Sequence, residues 1–398
     1  MSGFSVKGTR WSDTFAAQVP GGNKLLTKAD FTYAGTCRIN DYADALTWDP
    51  NTGRFFQVQK DVGIQEITLP TMVQTSNYGS LNSAVINNTG DGISASQEAA
   101  INGDNNTTNN EVHGLFVDGT DLIVTARRWY DDSGVQRKSI YRRAKTNLAT
   151  TSAVQGPYRM LDSADTPLAR LAGGQMARIP TAWRASLGNN DTLVHSTGLS
   201  IYSAGPVSMG PNLIAFKKAD VGVLSPVPGV HLLYYPYSFA QSFSLSPQMG
   251  YPQGDLVSDG PFPPAPVWGN CGETGGMMWA DGTRTIAFFG ESGDGTQFYG
   301  DAFGTHGQHA EPYTYKYWLY DANDLIAVYN GTKNNYNVLP YEWGTWTFNI
   351  NGSGNERHRL NGVAFDYTTN KVYLQRREVN VTTGVWDGFI DVYNVNVS

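Results

Sequence analysis

Three acids stand at comparable places along the chain: Asp44, Glu111 and Glu273 each come at or just before an alternating hairpin. Gathered at one opening, two such carboxyl groups divide acid–base work. One protonates a leaving oxygen while another activates water or attacks the carbon beside it. Proximity also raises one pKa, which keeps that acid protonated for its task. The same upstream positions carry His113, His195 and Arg359, read as substrate-binding groups. Arg127, in Arg127-Arg128-Trp129-Tyr130, suits a clamp for a carboxylate or sugar acid. Trp129 and Trp183, with Tyr130 and Trp268, read as stacking platforms in loops. Bland alternatives are turn-capping acids and a solvated ion-pair patch at Arg127.

Distant residues need a frame that brings them together, and an internal repeat supplies one. Four hairpins share an outline of small residues, an apolar run, Asp, a turn and a second β-rich run. They begin at Asp44 (ending in Arg54-Phe-Phe), His113 (Gly-Leu-Phe-Val-Asp-Gly-Thr), Gly275 (Gly-Met-Met-Trp-Ala-Asp-Gly-Thr) and Asn361 (Gly-Val-Ala-Phe-Asp-Tyr-Thr-Thr). A looser fifth copy runs over residues 197–202 and 212–216. Taking Leu46, Leu115, Leu199, Met277 and Val363 as anchors, the spacings are 69, 84, 78 and 86 residues. That is room for five four-stranded blades of about 40–50 residues plus long loops. The expectation is an all-β, closed, five-bladed β-propeller over residues 1–398, with N- and C-terminal strands completing one blade. A pair of β-sandwiches with hairpins alike by chance is the alternative. Two short helices are expected, at Asp321–Gly331 and Pro180–Gly188, from their cap and stop residues.

Composition agrees with a turn-rich β protein: 44 Gly, 22 Tyr, 17 Phe and 10 Trp among 398 residues, only 16% of them charged. A net charge of −7 makes nucleic acid a poor partner. Apolar runs fall far short of the ~20 residues of a membrane span, and no signal peptide is visible at Met1. Cys37 and Cys271 either pair once or stay free. The Asn-, Ser- and Gly-rich, Lys-poor composition points to work outside a cell or on a virion surface. P-loop, GxGxxG, GxSxG, CxxC and Asp-box signatures are absent. No cofactor is required, although Glu291, Asp294 and Asp301 suit a hard cation such as calcium, and His306, His309 and Glu311 a softer metal.

Residues 176–341 resemble a group of uncharacterised, mostly secreted bacterial propeller proteins. The matching segments are Ile179-Pro-Thr-Ala-Trp-Arg-Ala-Ser-Leu-Gly, Leu233-Tyr-Tyr-Pro, Phe288-Phe-Gly-Glu-Ser-Gly-Asp-Gly and Glu311-Pro-Tyr-Thr-Tyr-Lys-Tyr-Trp-Leu-Tyr-Asp-Ala-Asn-Asp-Leu. More distantly, the architecture is similar to five-bladed glycoside hydrolases. That resemblance implies a poly- or oligosaccharide partner, with Asp44, Glu111 and Glu273 as catalytic carboxylates. The alternative is a non-catalytic glycan-binding or virion-surface module.

Overall fold

A computed structural model describes residues 22–39, 43–59, 63–90, 94–102, 110–128, 136–150, 154–161, 168–169, 171–196, 208, 210–235, 273–299, 308–350, 359–379 and 386–398. Its first strand, β1 (Phe31–Ile39), belongs to the last sheet. Blade one is β2 (Ala43–Trp48), β3 (Phe55–Gln59), β4 (Gly63–Thr68) and β5 (Val85–Gly90). After helix α1 (Ala95–Asn102), blade two is β6 (Asn110–Asp118), β7 (Asp121–Arg128), β8 (Ile140–Ala144) and β9 (Gln155–Tyr158). A short strand β10 (Met160–Leu161) leads to blade three: β11 (Met176–Arg178), β12 (Thr192–Val194), β13 (Leu213–Phe216) and, beyond β14 (Val227–Pro228), β15 (Val230–Leu233). β10 and β14 pair in parallel. Blade four is β16 (Glu273–Trp279), β17 (Thr285–Tyr299), β18 (Gln308–Asp321) and β19 (Glu342–Thr345). Blade five is β20 (Arg359–Asp366), β21 (Lys371–Val379) and β22 (Trp386–Val395), with β1 on its outer edge.

The first strands β2, β6, β11, β16 and β20 adjoin one another in that order, and β20 adjoins β2. This is a closed five-bladed β-propeller whose two ends share one sheet, as the repeat predicts. Closure leaves no room for a side chain at Gly275, where two inner strands meet: a Cβ there would lie 1.9 Å from the Leu360 carbonyl oxygen, so at this point backbone packs directly on backbone. Between blades the core is aromatic: Trp183, Trp279, Phe288 and Trp318 lie in one cluster, and Phe289, Tyr317, Trp346 and Tyr393 in the next.

The repeated Asp of the motif caps its turn. Asp49 accepts from the Asn51 amide and the Thr52 hydroxyl, and Asp366 from Thr368 and Thr369. Both expected helices form. α2 (Thr181–Arg184) continues as a 3₁₀ turn that ends on Gly188 in the left-handed region. α3 (Ala322–Tyr329) begins with the Asp321 carboxylate accepting from the Asn323 amide.

Two expectations change, and one open choice closes. Trp183 is not a loop platform: it is fully buried, its Nε1 donates to the Thr283 carbonyl at 3.1 Å, and its ring packs 5.4 Å from Trp279. The apolar face of α2 needs a large side chain to close blade three against blade four, and Trp183 fills that place. The inner hairpin of blade three is β11–β12, residues 176–194, rather than the loose copy after residue 197; Leu213–Phe216 is its third strand. A helical turn between two three-residue strands hides the repeat there. Cys37 is a buried free thiol, pushed up to about 12 by burial and by nearby Asp391; Cys271 lies outside the described residues.

Candidate functional site

One irregularity recurs around the axis. In four inner hairpins the first strand carries an extra residue that slips the register: Ala45, His113, Gly275 and Asn361. Ala45 adopts a left-handed φ of 58° to do so. Such bulges sharpen the local twist and re-aim the side chains beside them. They also provide a ruler independent of side-chain type. Two residues before each bulge stand Ala43, Glu111, Glu273 and Arg359, paired across the hairpin with Gln59, Arg127, Glu291 and Arg377. These eight positions form one level of the channel, at the end where the inner strands begin. By this ruler Asp44 lies one step further in than Glu111 and Glu273.

At this level blades four and five form a cluster. The Arg359 guanidinium is hydrogen-bonded to Glu273 and its Nη1 lies 3.9 Å from Glu291 Oε1. The Glu273 and Arg359 side chains remain 25% and 30% exposed, whereas Glu291 is 2% exposed. Glu291 therefore forms the inner wall and the other two the open lip. Burial, with the Glu273 carboxylate adding to it, pushes the Glu291 carboxyl up to about 8 against the pull of Arg359 and Arg377. Its Oε2 is buried with no hydrogen-bond partner. The two acids are direct cross-strand neighbours, for which Cβ atoms sit about 4.5–5.5 Å apart.

Further in, the channel is filled. Asn361 donates to the Asp44 carboxylate at 2.5 Å and to the Ala43 carbonyl at 3.3 Å, and Gln375 donates to that same carbonyl at 2.5 Å. Gln175 belongs to blade three, yet its Nε2 donates to the Asn361 carbonyl of blade five at 3.0 Å. Blade four separates those two, so this fully buried amide spans the axis and closes the channel beneath the cluster.

The remaining candidates divide by burial. His195 is fully buried; burial drives it down to about 4, so the ring is neutral and its Nδ1–H donates to the Ser196 carbonyl. Thr274, next to Glu273, also bonds that carbonyl at 3.2 Å, which makes His195 a support behind the cluster. His113 and Arg127 are buried on blade two. The side chain of Glu111, and Trp129, Tyr130 and Trp268 altogether, lie outside the described residues. Thus the fold brings Glu273 and Arg359 together, as the hairpin reading requires, while the acid placed beside Glu273 is Glu291. Sequence reading put Glu291 with a cation site, because the β17 residue opposite Glu273 is known only once the bulge is counted. For metals, Asp301 and His306 lie outside the described residues, as do the side chains of Asp294, His309 and Glu311. Among the described residues no group of three His, Cys, Asp or Glu is placed to hold an ion.

No family model and no curated protein matches the chain. Among solved structures it is similar to a DUF4221 family member from Bacteroides vulgatus ATCC 8482, at 5% identity and a TM-score of 0.33. That match covers 92% of this chain and 98% of the other.

Proposed function

We propose that the protein engages carbohydrate at the mouth of its central channel and cleaves a glycosidic bond there. The observation that carries this reading is the pair Glu273 and Glu291: two neighbouring carboxyl groups in unlike surroundings, sharing one arginine. Divergent environments are how paired acids acquire separate roles. Glu291, dry and protonated, is the general acid that gives its proton to the leaving glycosidic oxygen. Glu273, ion-paired and open to solvent, attacks the anomeric carbon; water then releases the sugar as Glu291 takes a proton back. Direct cross-strand pairing sets the two side chains on one face of the blade, within reach of one glycosidic bond. Asp44 and Glu111 would border the site, with Arg127 and His113 behind them. Arg359 holds Glu273 in place through their ion pair.

A second reading, glycan binding without turnover, is favoured by one feature: Glu291 exposes very little surface, so a substrate oxygen has only a narrow approach to its proton. Either reading suits a protein that meets glycans outside a cell or on a virion surface. The test is sugar release from a panel of polysaccharides. Glu273→Gln and Glu291→Gln each lower the rate by about 10²-fold or more with an unchanged melting temperature. Full activity in both variants would overturn the assignment, and wild-type binding without release would leave the second reading.

A further inference from the structure

We propose that the opposite end of the central channel is a second binding site, built to take an N-acetyl group carried by an amino sugar. Counted from the bulges, Trp48, Phe116, Met278 and Ala364 stand three residues further along their strands. Glu273 and Arg359 at the mouth stand two residues before the bulges, so the two levels are about 15 Å apart along the strand. Those four residues, with Arg178 at the end of β11, line a cavity of about 50 Å³ to which all five inner strands contribute. Gln175, whose amide closes the channel, leads directly into Met176 on the cavity wall, so the plug stands between this cavity and the mouth.

Size and chemistry select the ligand. A water needs about 10–15 Å³ of such space, so the cavity itself takes a group of about four heavy atoms. Met278 and Ala364 are buried and give it an apolar wall. Arg178 gives it a donor. Its Nη2 donates to Asp281 at 2.5 Å and its guanidinium lies 3.8 Å from the Tyr367 ring centre, yet its Nε–H is buried with no acceptor. An unmet buried donor is costly, and Asp281 already balances the charge, so the acceptor called for is a neutral oxygen. An acetamido group has four heavy atoms and both halves of this chemistry: a methyl for the apolar wall and a carbonyl oxygen for the Nε–H. Trp48, Phe116, Phe365 and Tyr367 line the cavity and each is partly exposed, which leaves ring surface for the C–H face of a sugar. Asp281, 49% exposed, accepts from sugar hydroxyls beside the acetamido group. The alkyl stem of an acetylated lysine would bring that carboxylate no donor.

Isotope-labelled methionine methyl groups, followed by NMR, read the site at Met278, whose signal a Met278→Leu variant assigns among the eight methionines. The titrants are N-acetylglucosamine and N-acetylgalactosamine, against glucose, galactose and Nε-acetyl-lysine. At least one acetylated sugar should shift the Met278 methyl with a Kd of roughly 1 mM, at least about tenfold tighter than its parent hexose. Arg178→Met should weaken that binding about tenfold by removing the donor, and Ala364→Leu should abolish it by filling the cavity. Arg178 is partly exposed, so its variant keeps the fold even if the Ala364 variant does not. Glu273→Gln, at the other end of the channel, should leave this binding unchanged whether or not the mouth cleaves sugars. No shift at Met278, or equal shifts from the parent hexoses, would overturn the acetamido site. Tighter binding of Nε-acetyl-lysine would overturn the amino sugar as its bearer. Binding lost in Glu273→Gln would move the contact to the mouth and overturn the second site.

Discussion

Two arginine–carboxylate clusters lie within the same pair of blades, and they are built to opposite rules. Arg376 is fully buried in blade five and each of its three nitrogens donates. Its Nε donates to Asp391 at 2.6 Å, Nη1 to Glu378 and Nη2 to the Ile350 carbonyl at 2.5 Å. The rings of Phe348 and Phe389 cover the guanidinium at 4.3 and 4.6 Å. Asp391 accepts further from Thr36 of β1, at 2.5 Å. Burial works against the Arg376 charge, but Asp391 and Glu378 more than offset it and hold it protonated. Arg359 also has two acids, yet its side chain is 30% exposed, and one of those acids keeps a buried oxygen without a partner. A cluster that serves the fold is saturated and sealed. One that is open on one side and incompletely bonded on the other has capacity left for a ligand.

The largest effect that would break this contrast is in the sealed cluster. Removing one member leaves an uncompensated charge in the interior, which costs about 3–5 kcal/mol. Arg376→Met and Asp391→Asn should each lower stability by that much in urea unfolding. Because Asp391 also anchors β1 through Thr36, both changes loosen the sheet that joins the chain's two ends. A loss below about 1 kcal/mol, the range of exposed pairs, would show that the two clusters do not differ in kind.

Why one of these clusters was partly legible in the sequence, and the other not, follows from periodicity. Alternating runs ending in Asp-Gly-Thr or Asp-Tyr-Thr-Thr recur because each blade needs the same hairpin and the same turn cap, so the architecture and the blade count could be read from spacing. Glu273 and Arg359 could be found because they precede such hairpins. Glu291 could not, since its place depends on a one-residue bulge at Gly275 that no local residue preference announces. Trp183 was misplaced for a different reason. An aromatic residue in a short helical turn reads as exposed until the neighbouring blade, with Trp279 and Thr283, is packed against it. The sealed cluster escaped notice altogether: Arg376 and Glu378 lie in the polar run Gln375-Arg-Arg-Glu, which reads as a solvated strand end, and Asp391 alternates with apolar residues as in any half-solvated strand.

A smaller effect sharpens the comparison through pH. The ordinary glutamate value is 4.5 and Glu291 is raised to about 8 in the folded chain. Between those values the folded state holds a proton that the unfolded chain has released. Stability therefore falls as pH rises through this window, by at most about 1.4 kcal/mol per pH unit. Asp49, Asp118 and Asp366 act in the opposite sense. Burial works against their charges, but ion pairs and hydrogen bonds hold them low, so their contribution is lost only as pH falls through the acid range. Urea midpoints between pH 7 and 8 read Glu291 apart from His195, whose lowered value acts in the opposite sense only below about 6.5, and Glu291→Gln should flatten the slope. A slope that persists in that variant would assign the titration to another group and leave Glu291 an ordinary ionised acid.

The smallest expected effect is the one that separates the clusters most cleanly. Arg359→Met removes the arginine shared by Glu273 and Glu291. Exposed ion pairs contribute roughly 0–1 kcal/mol once solvent screening is allowed for, so unfolding should move by no more than that. Function should respond far more than stability: with its counter-ion gone, Glu273 loses its fixed orientation, so sugar release or binding weakens while the melting temperature holds. That split is the signature to look for. Should Arg359→Met instead destabilise as much as Arg376→Met with no added loss at the channel mouth, both arginines are structural pins and the opening between blades four and five is merely where one of them meets water.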